Sequence, residues 1–208
     1  EFAGYPERMV KETEEAVDKI LAANTACFAM GGDHFVSLPL LRAHVRKHGP
    51  VALVHFDAHT DTWVDENYTH GTMFYHAIKE GLLDIEHSIQ IGIRTPNPET
   101  HGIEIIYADE LDELKASEVS QRIKKRVGDK KAYLTFDIDF LDPAYAPGTG
   151  TPVSGGPSVI MGRKILKGLA GINFVGGDLV EIAPAYDPIG NVTAVAGATL
   201  GGDILYLL

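Results

Sequence analysis

Short apolar runs alternate with amphipathic segments along the chain, which is the pattern of strands that alternate with helices. A first helix is predicted to begin near Pro6, with Val10, Val17, Ile20 and Leu21 on one face. Strands are predicted over six runs, 26–30, 51–56, 88–93, 103–107, 132–136 and 172–175. Further helices are predicted near 35–48, 72–80, 109–127, 158–169 and 191–207.

This alternation predicts an α/β fold, with a three-layer, doubly wound, mostly parallel sheet and helices on both of its faces. In such sheets, ligands bind at the carboxyl ends of the strands, where loops leave the sheet and enter helices. The polar motifs of the chain follow four of the predicted strands, at 31–34, 57–61, 137–139 and 178–181. We therefore expect one functional site along this edge of the sheet.

Carboxylates and imidazoles dominate these motifs. Ionised carboxylates at the ends of buried strands are costly to desolvate, so several together need cations or an extensive hydrogen-bond network. Metal is the simpler explanation. The candidate ligands are six side chains: His34, Asp57, His59, Asp61, Asp137 and Asp139.

Two shared carboxylates would let these six side chains hold a pair of ions. If Asp57 and Asp137 both bridge, each ion has four protein ligands, a known arrangement for activating water. One ion would add His34 and Asp61 to the bridges, and the other His59 and Asp139. One imidazole and several oxygens per ion form a hard ligand set, which favours Mn²⁺ over zinc. The prediction is two Mn²⁺ per subunit.

Composition narrows the class of protein. With 208 residues, 45% hydrophobic and 23% charged, the chain is expected to be one globular domain with a substantial core. No apolar run approaches the roughly 20 residues that span a bilayer, and no leader resembles a signal peptide. We therefore expect no membrane association and a cytoplasmic location. The single cysteine, Cys27, lies in an apolar run and is expected in the core.

A formal net charge of -11 argues against nucleic acid as a partner, because binding to phosphates requires a basic surface. The same charge permits a cationic substrate, although acidic solubility alone also accounts for it.

The motifs resemble those of the ureohydrolases, the family of arginases and agmatinases. The resemblance rests on residues 31–34, 57–61, 135–143, 147–152 and 178–184. It implies an arginase/deacetylase-like fold, a single ureohydrolase domain over 1–208 that lacks an N-terminal segment, and a trimer or hexamer. It also implies hydrolysis of a guanidinium group to urea and an amine, by attack of a metal-bridging hydroxide.

The same resemblance implies roles for residues beyond the six ligands. His70 matches a histidine that moves protons, Glu181 matches the carboxylate that pairs with the guanidinium, and Thr151 lies where the family places a hydroxyl near it. Asp33 and Asp142 are expected to orient neighbours or cap helices.

Four aromatic residues near the motifs have less distinctive patterns. His55 and His76 are expected to be structural. Trp63 and Tyr68 lie between the ligand run and His70, so shaping of the substrate entrance and surface packing are both open for them.

Within the family, runs 60–63 and 70–75 are similar to those of bacterial agmatinases, so agmatine is the expected substrate and putrescine and urea the products, as in polyamine synthesis. The alternatives are guanidinobutyrate and guanidinopropionate, whose acidic tails would favour a basic residue such as Arg94 near the entrance. Two other classes stay open. One is a zinc deacetylase-like enzyme, in which Asp61 and Asp139 would be surplus, and the other is a non-catalytic homologue.

Overall fold

The structure, a computed structural model, describes residues 6–208, so the first five residues of the expected domain lie outside it. The helices are α1 Pro6–Ala22, α2 Ser37–His48, α3 Met73–Lys79, α4 Ala108–Glu113, α5 Ala116–Val127, α6 Val159–Gly168 and α7 Val192–Leu205. The strands are β1 Cys27–Met30, β2 Ala52–Phe56, β3 Ile89–Ile93, β4 Glu104–Tyr107, β5 Lys131–Asp137 and β6 Asn173–Val180. Short 3₁₀ turns cover His34–Val36, Ile85–His87 and Ile138–Phe140.

The six strands form one sheet in the order β1-β6-β5-β2-β3-β4, and every strand pairing is parallel. From β2 the chain continues to β3 and β4 on one side, whereas β5 and β6 fill the other side. The strand order therefore reverses between β2 and β5. In doubly wound sheets this reversal opens a crevice at the carboxyl ends of the two strands, which is where ligands bind.

Helices cover both faces of the sheet, as predicted. Leu53 and Tyr133 point toward α1, α2 and α3, and together they form one apolar core. Val54 and Leu134, the next residues along the same strands, point toward α5, α6 and α7 and form the second core. Successive strand residues face opposite sides of a sheet, so the buried strands are apolar on both faces. Cys27 is buried in the first core, as expected.

The last strand extends beyond its prediction. The sequence indicates a strand over 172–175, because Gly176 and Gly177 weaken the β pattern. In the structure β6 continues to Val180, since it is paired with β5 on one side and with β1 on the other. Asp178 therefore lies inside a strand and is fully buried, instead of following it.

Two helix predictions also differ from the structure. The predicted helix over 109–127 is divided into α4 and α5, because Leu114 and Lys115 have extended backbones. The Lys115 N–H donates to Glu118 Oε2 at 2.8 Å, which begins the second helix. In α1, Val17 and Leu21 pack toward α2, whereas Ile20 lies at the margin of this face and is 38% exposed.

None of the helices over residues 6–208 combines the length and the apolar composition that crossing a bilayer requires.

Candidate metal centre

The predicted ligands meet at the carboxyl ends of the central strands. His34 begins the 3₁₀ turn that follows β1, and Asp57 directly follows β2. Asp137 is the last residue of β5, and Asp139 lies in the 3₁₀ turn that comes next. Parallel strands end at one edge of the sheet, so side chains that are far apart in sequence become neighbours.

One group of ligands surrounds the His34 ring. His34 Nδ1 lies 3.0 Å from Asp61 Oδ2 and 3.2 Å from both Asp57 Oδ2 and Asp137 Oδ2. These four residues are buried. The group matches the ligand set predicted for the first ion.

A second group surrounds the His59 ring. His59 Nδ1 lies 3.0 Å from Asp139 Oδ2 and 3.3 Å from Asp57 Oδ1. The two carboxylate oxygens of Asp57 thus face different histidines, which is the arrangement that a bridging ligand requires. Asp137 faces His34 with Oδ2, and its Oδ1 accepts the Asp139 N–H at 2.7 Å. Its predicted role as the second bridge stays a prediction.

The protonation of His34 tests whether a cation fits this site. The Thr135 hydroxyl donates its single hydrogen to Asp178 Oδ1 at 2.6 Å, so it accepts the hydrogen of His34 Nε2 at 2.8 Å. In the neutral ring, Nδ1 then carries a lone pair and has no hydrogen-bond partner. A lone pair that faces three carboxylate oxygens is repelled unless a positive charge lies between them. Without metal that charge is a proton: desolvation lowers the pKa of His34, but hydrogen bonds to Asp137, Asp57 and Asp61 outweigh it and raise the pKa well above its usual range. A metal cation can replace this proton. The donor set therefore fits a divalent metal.

Burial and neighbouring charges shift the pKa of several groups in the cluster. Burial, followed by the negative charge of Asp57, raises the pKa of Asp61 to about 7. Burial and the charges of Asp139 and Asp57 raise the pKa of Asp137 well above its usual range. Desolvation lowers the pKa of His59, but hydrogen bonds to Asp139 and Asp57 outweigh it and raise the pKa to about 11. The cluster thus attracts positive charge.

Two site residues have backbones in the left-handed region. Asp61 has φ of 52° and Glu181 has φ of 62°. This region is uncommon for residues other than glycine, and such backbones concentrate at functional sites. Aspartate is among the few residue types enriched in this region, whereas glutamate is not, so the sequence gives no signal at Glu181.

A cavity of about 160 Å³ opens on the cluster, and it contains the three residues that the family resemblance singled out. Glu181 Oε1 accepts the His34 N–H at 2.6 Å, and burial raises the pKa of the Glu181 carboxyl. His70 is exposed, with Nδ1 3.4 Å from Asp33 Oδ2. Thr151 Oγ1 donates to Asp139 Oδ2 at 3.3 Å. The cavity is lined by His34, His59, Asp61, Trp63, His70, Gly71, Asp137, Thr151 and Glu181.

Of the other aromatic residues in this region, one lines the cavity and two pack outside it. Trp63 lines the cavity. Tyr68 instead packs on Phe35, with ring centroids 5.2 Å apart, and does not line it. His76, which lies on α3, is buried and its ring packs against Tyr68, consistent with the structural role expected for it.

Asp33 and Asp142 have the orienting roles that were expected. Asp33 Oδ1 accepts the Phe35 N–H at 2.9 Å at the start of the 3₁₀ turn. Asp142 Oδ2 accepts the N–H groups of Gly155 and Gly156 at 2.8 and 3.1 Å, which holds the loop beside the site.

The Arg94 side chain points into the protein, toward backbone carbonyls. Its guanidinium donates to five backbone carbonyls, with the Asp139 carbonyl at 2.6 Å and the Val153 carbonyl at 2.8 Å among them. With its donors engaged in this way, Arg94 holds the loops after β3 and β5 together. It is a structural arginine.

Three buried polar residues beside the cluster have no role in the sequence-based predictions, although Thr135 and Asp178 lie within the motifs: Gln90, Thr135 and Asp178. Each lies inside a strand, between neighbours that are apolar or glycine, at zero exposure. A polar side chain in a buried strand requires a hydrogen-bond partner, and this requirement is the signal that could have identified them.

Comparison with known proteins agrees with this geometry, since the model of the arginase family matches residues 2–206. The chain belongs to the arginase family. It is 50% identical over 205 residues to an agmatinase of Proteus mirabilis, covering 98% of this chain and 67% of that protein. The family resemblance predicted from the motifs is therefore confirmed.

Solved structures of the arginase family have the same fold. A crystal structure of a hypothetical agmatinase from Burkholderia thailandensis superposes with a TM-score of 0.96 at 48% identity, covering 99% of this chain and 66% of that one. A proclavaminate amidino hydrolase from Streptomyces clavuligerus superposes with a TM-score of 0.90 at 37% identity, covering 95% of this chain and 68% of that one. The chain spans about two thirds of the length of the curated relatives that it matches.

Proposed function

We propose that this member of the arginase family hydrolyses the guanidinium group of agmatine to putrescine and urea, with two Mn²⁺ as cofactors. The proposal rests on the cavity, whose lining combines the Glu181 carboxylate with residues of both ligand groups and, within residues 6–208, includes no lysine or arginine. Relatives named agmatinase, about half identical to this chain, support the same activity.

The ligand geometry supports a two-metal site. His34, Asp57, Asp61 and Asp137 would hold one ion, and His59, Asp57, Asp137 and Asp139 the other. Each ion would have one imidazole and several oxygens, which suits Mn²⁺. When bound, the ions would supply the Lewis-acid activation of water that hydrolysis of a stable guanidinium requires.

The remaining residues bind the substrate and move protons. The planar guanidinium presents several N–H donors, and the Glu181 carboxylate would accept them and turn the central carbon toward the cluster. The Thr151 hydroxyl is hydrogen-bonded to Asp139, a member of the ligand group around His59, and would limit the position of the same guanidinium. Asp33 orients His70 through Nδ1, so Nε2 would be the nitrogen that protonates the departing amine.

The charges of the entrance support agmatine over the guanidino acids. The acidic tail of guanidinobutyrate or guanidinopropionate would need a basic partner, and Arg94 is bound to backbone carbonyls. A cationic tail suits a cavity whose ionisable lining consists of aspartate, glutamate and histidine. The zinc deacetylase-like alternative has less support, because Asp61 and Asp139 lie within hydrogen-bond distance of the two site histidines. The cytoplasmic location and the trimer or hexamer stay predictions.

A urea-release assay with Mn²⁺ tests the proposal on agmatine, arginine, guanidinobutyrate and guanidinopropionate. We expect the highest kcat/KM with agmatine, and no urea after the metal has been removed with a chelator. Preference for another of these substrates would overturn the choice of agmatine. Absence of urea from all four would overturn the proposed class.

A further inference from the structure

A row of buried polar side chains crosses the sheet beneath the metal centre. Gln90 pairs in register with His55, His55 with Thr135, and Thr135 with Asp178, across β3, β2, β5 and β6. All four residues have zero exposure. We call them the polar row. Residues two apart on a strand share a face, so Asp57 and Asp137 are the next side chains above His55 and Thr135.

Hydrogen bonds determine which nitrogen of His55 carries its proton. Gln90 Nε2 lies 2.6 Å from the Thr60 carbonyl oxygen, and a carbonyl only accepts, so the amide orientation of Gln90 is determined. The same Nε2 lies 3.0 Å from His55 Nδ1 and donates its second hydrogen there. The hydrogen of neutral His55 is therefore on Nε2.

His55 consequently acts as a donor within the cluster. Its Nε2 lies 2.7 Å from Asp57 Oδ2 and donates to it. Although His55 lies close enough to His34, Asp57 and Asp61 to be counted as a metal ligand, both of its nitrogens are already engaged. Phe74 packs against the rings of His55 and His34, with centroids 4.7 and 5.4 Å away, which limits rotation of both.

This donor completes the support of Asp57. Asp57 Oδ1 accepts the His59 N–H at 2.6 Å, and Oδ2 accepts the His55 hydrogen. One hydrogen bond on each oxygen prevents the carboxylate from rotating and leaves a lone pair on each oxygen for the group it faces. The Oδ2 side faces His34 and the Oδ1 side faces His59.

We propose that His55, held in its tautomer by Gln90, is a positioning residue that sets the orientation of the Asp57 carboxylate across the two cation sites. The proposal rests on the proposed function, because it requires that this cluster bind divalent metal. Groups that orient metal ligands in this way typically change metal affinity about 10- to 100-fold when they are removed.

Two amide substitutions of His55 distinguish loss of the hydrogen-bond donor to Asp57 from loss of the imidazole ring itself. His55→Gln places its amide nitrogen near the position of Nε2 and keeps a donor to Asp57, whereas His55→Asn reaches only toward Gln90. We expect His55→Asn to weaken Mn²⁺ binding about 10- to 100-fold and His55→Gln to recover most of the affinity. The free Mn²⁺ signal in electron paramagnetic resonance measures this affinity, and thermal unfolding checks that each variant is folded.

The matched control is His76→Asn, since His76 is a buried histidine outside the cluster. It should bind Mn²⁺ like the wild type. Wild-type affinity in folded His55→Asn would overturn the proposal, and so would an equal loss in folded His55→Gln.

A spectroscopic test needs no variant to remain folded. In ¹⁵N-histidine spectra of the wild type, the His55 signal should report a proton on Nε2 and none on Nδ1, with and without Mg²⁺ as a diamagnetic ion. Loss of the Nε2 proton when Mg²⁺ binds would make His55 a ligand and overturn the proposal, as would a proton on Nδ1. A separate test of Gln90 does use a variant: in Gln90→Leu, shown to be folded by thermal unfolding, the Nδ1 signal should change because its donor is absent. An unchanged signal would overturn the role of Gln90.

These readouts are separate from catalysis. If the wild type binds Mn²⁺ with the expected His55 dependence but releases no urea, the proposed function is wrong and the positioning role stands. If urea is released but His55→Asn retains wild-type Mn²⁺ affinity, the positioning role is wrong and the proposed function stands.

Discussion

At the level of single residues, the roles in this site depend on how many hydrogens each group has to donate. The Thr135 hydroxyl has one, which goes to Asp178, so His34 must donate to Thr135 and directs a lone pair at the carboxylates. In His55, Gln90 donates to Nδ1, so the ring hydrogen is on Nε2 and points at a carboxylate, Asp57. Two neighbouring histidines of the same chemistry therefore become a metal-ligand candidate and a hydrogen-bond donor.

Glu181 allows a test of charge at constant shape. In Glu181→Gln, the amide oxygen can still accept the His34 N–H, while the negative charge that would pair with the guanidinium is lost. We expect kcat/KM for urea release to fall by about 10²- to 10³-fold, comparable with removing one group that stabilises a transition state. Mn²⁺ affinity should be unchanged, because Glu181 is outside the two ligand groups.

Glu66→Gln is the control for this substitution, because Glu66 is exposed and paired with Lys79 on the surface. It should retain wild-type activity. Turnover by Glu181→Gln within a few-fold of the wild type would contradict the role of Glu181.

At the level of elements, close approach between a helix and a strand explains why glycine occurs inside β6. A Cβ on Gly176 would overlap the His44 ring of α2, so the glycine that weakens the strand pattern is the residue that lets α2 pack on β6. His44 Nδ1 lies 2.7 Å from the Leu40 carbonyl, which holds the ring in place. Local propensity at Gly176 and Gly177 gave the wrong end for this strand, because pairing on both sides determines it.

Gly176→Ala should therefore destabilise the fold. We expect the free energy of unfolding to fall by about 1–3 kcal/mol, as for other overpacked core sites, in urea denaturation followed by circular dichroism. In a His44→Ala background the same substitution should cost less, because the overlapping ring is absent. Additive effects of the two substitutions would contradict the overlap.

Gly202→Ala is the matched glycine control. A Cβ there meets nothing within 4 Å, and the position lies in α7. Helix propensity alone predicts a gain of up to about 1 kcal/mol.

At the level of the whole molecule, the fold concentrates negative charge where it is most costly. The chain has a formal charge of -11, and Asp57, Asp61, Asp137 and Asp139 are buried together at one edge of the sheet. Their mutual repulsion opposes folding, and a bound cation relieves it. Metal binding and global stability are thus expected to be linked.

Mn²⁺ should therefore raise the melting temperature of the wild type. Ligand at 100 times its Kd adds about 2.7 kcal/mol per site to the free energy of unfolding. Asp137→Asn should be more stable than the wild type without metal, because it removes one buried charge whose pKa is raised by burial and by Asp139 and Asp57. It should also lose most of the gain from Mn²⁺.

Thermal unfolding in chelator and in saturating Mn²⁺ measures both effects. Asp18→Asn, at an exposed aspartate paired with Arg46, should behave like the wild type in both conditions. The linkage would be refuted by equal gains from Mn²⁺ in the wild type and in Asp137→Asn.

The sequence by itself determined the layered parallel α/β fold and the meeting of the six ligand candidates at one edge of the sheet. Both follow from local periodicity and from the rule that parallel strands end together. The tertiary structure alone decided the tautomers of His34 and His55, the inward turn of Arg94 and the burial of Asp178. These depend on partners in other strands, Gln90 for His55 and Asp178 for Thr135, and no local pattern contains them.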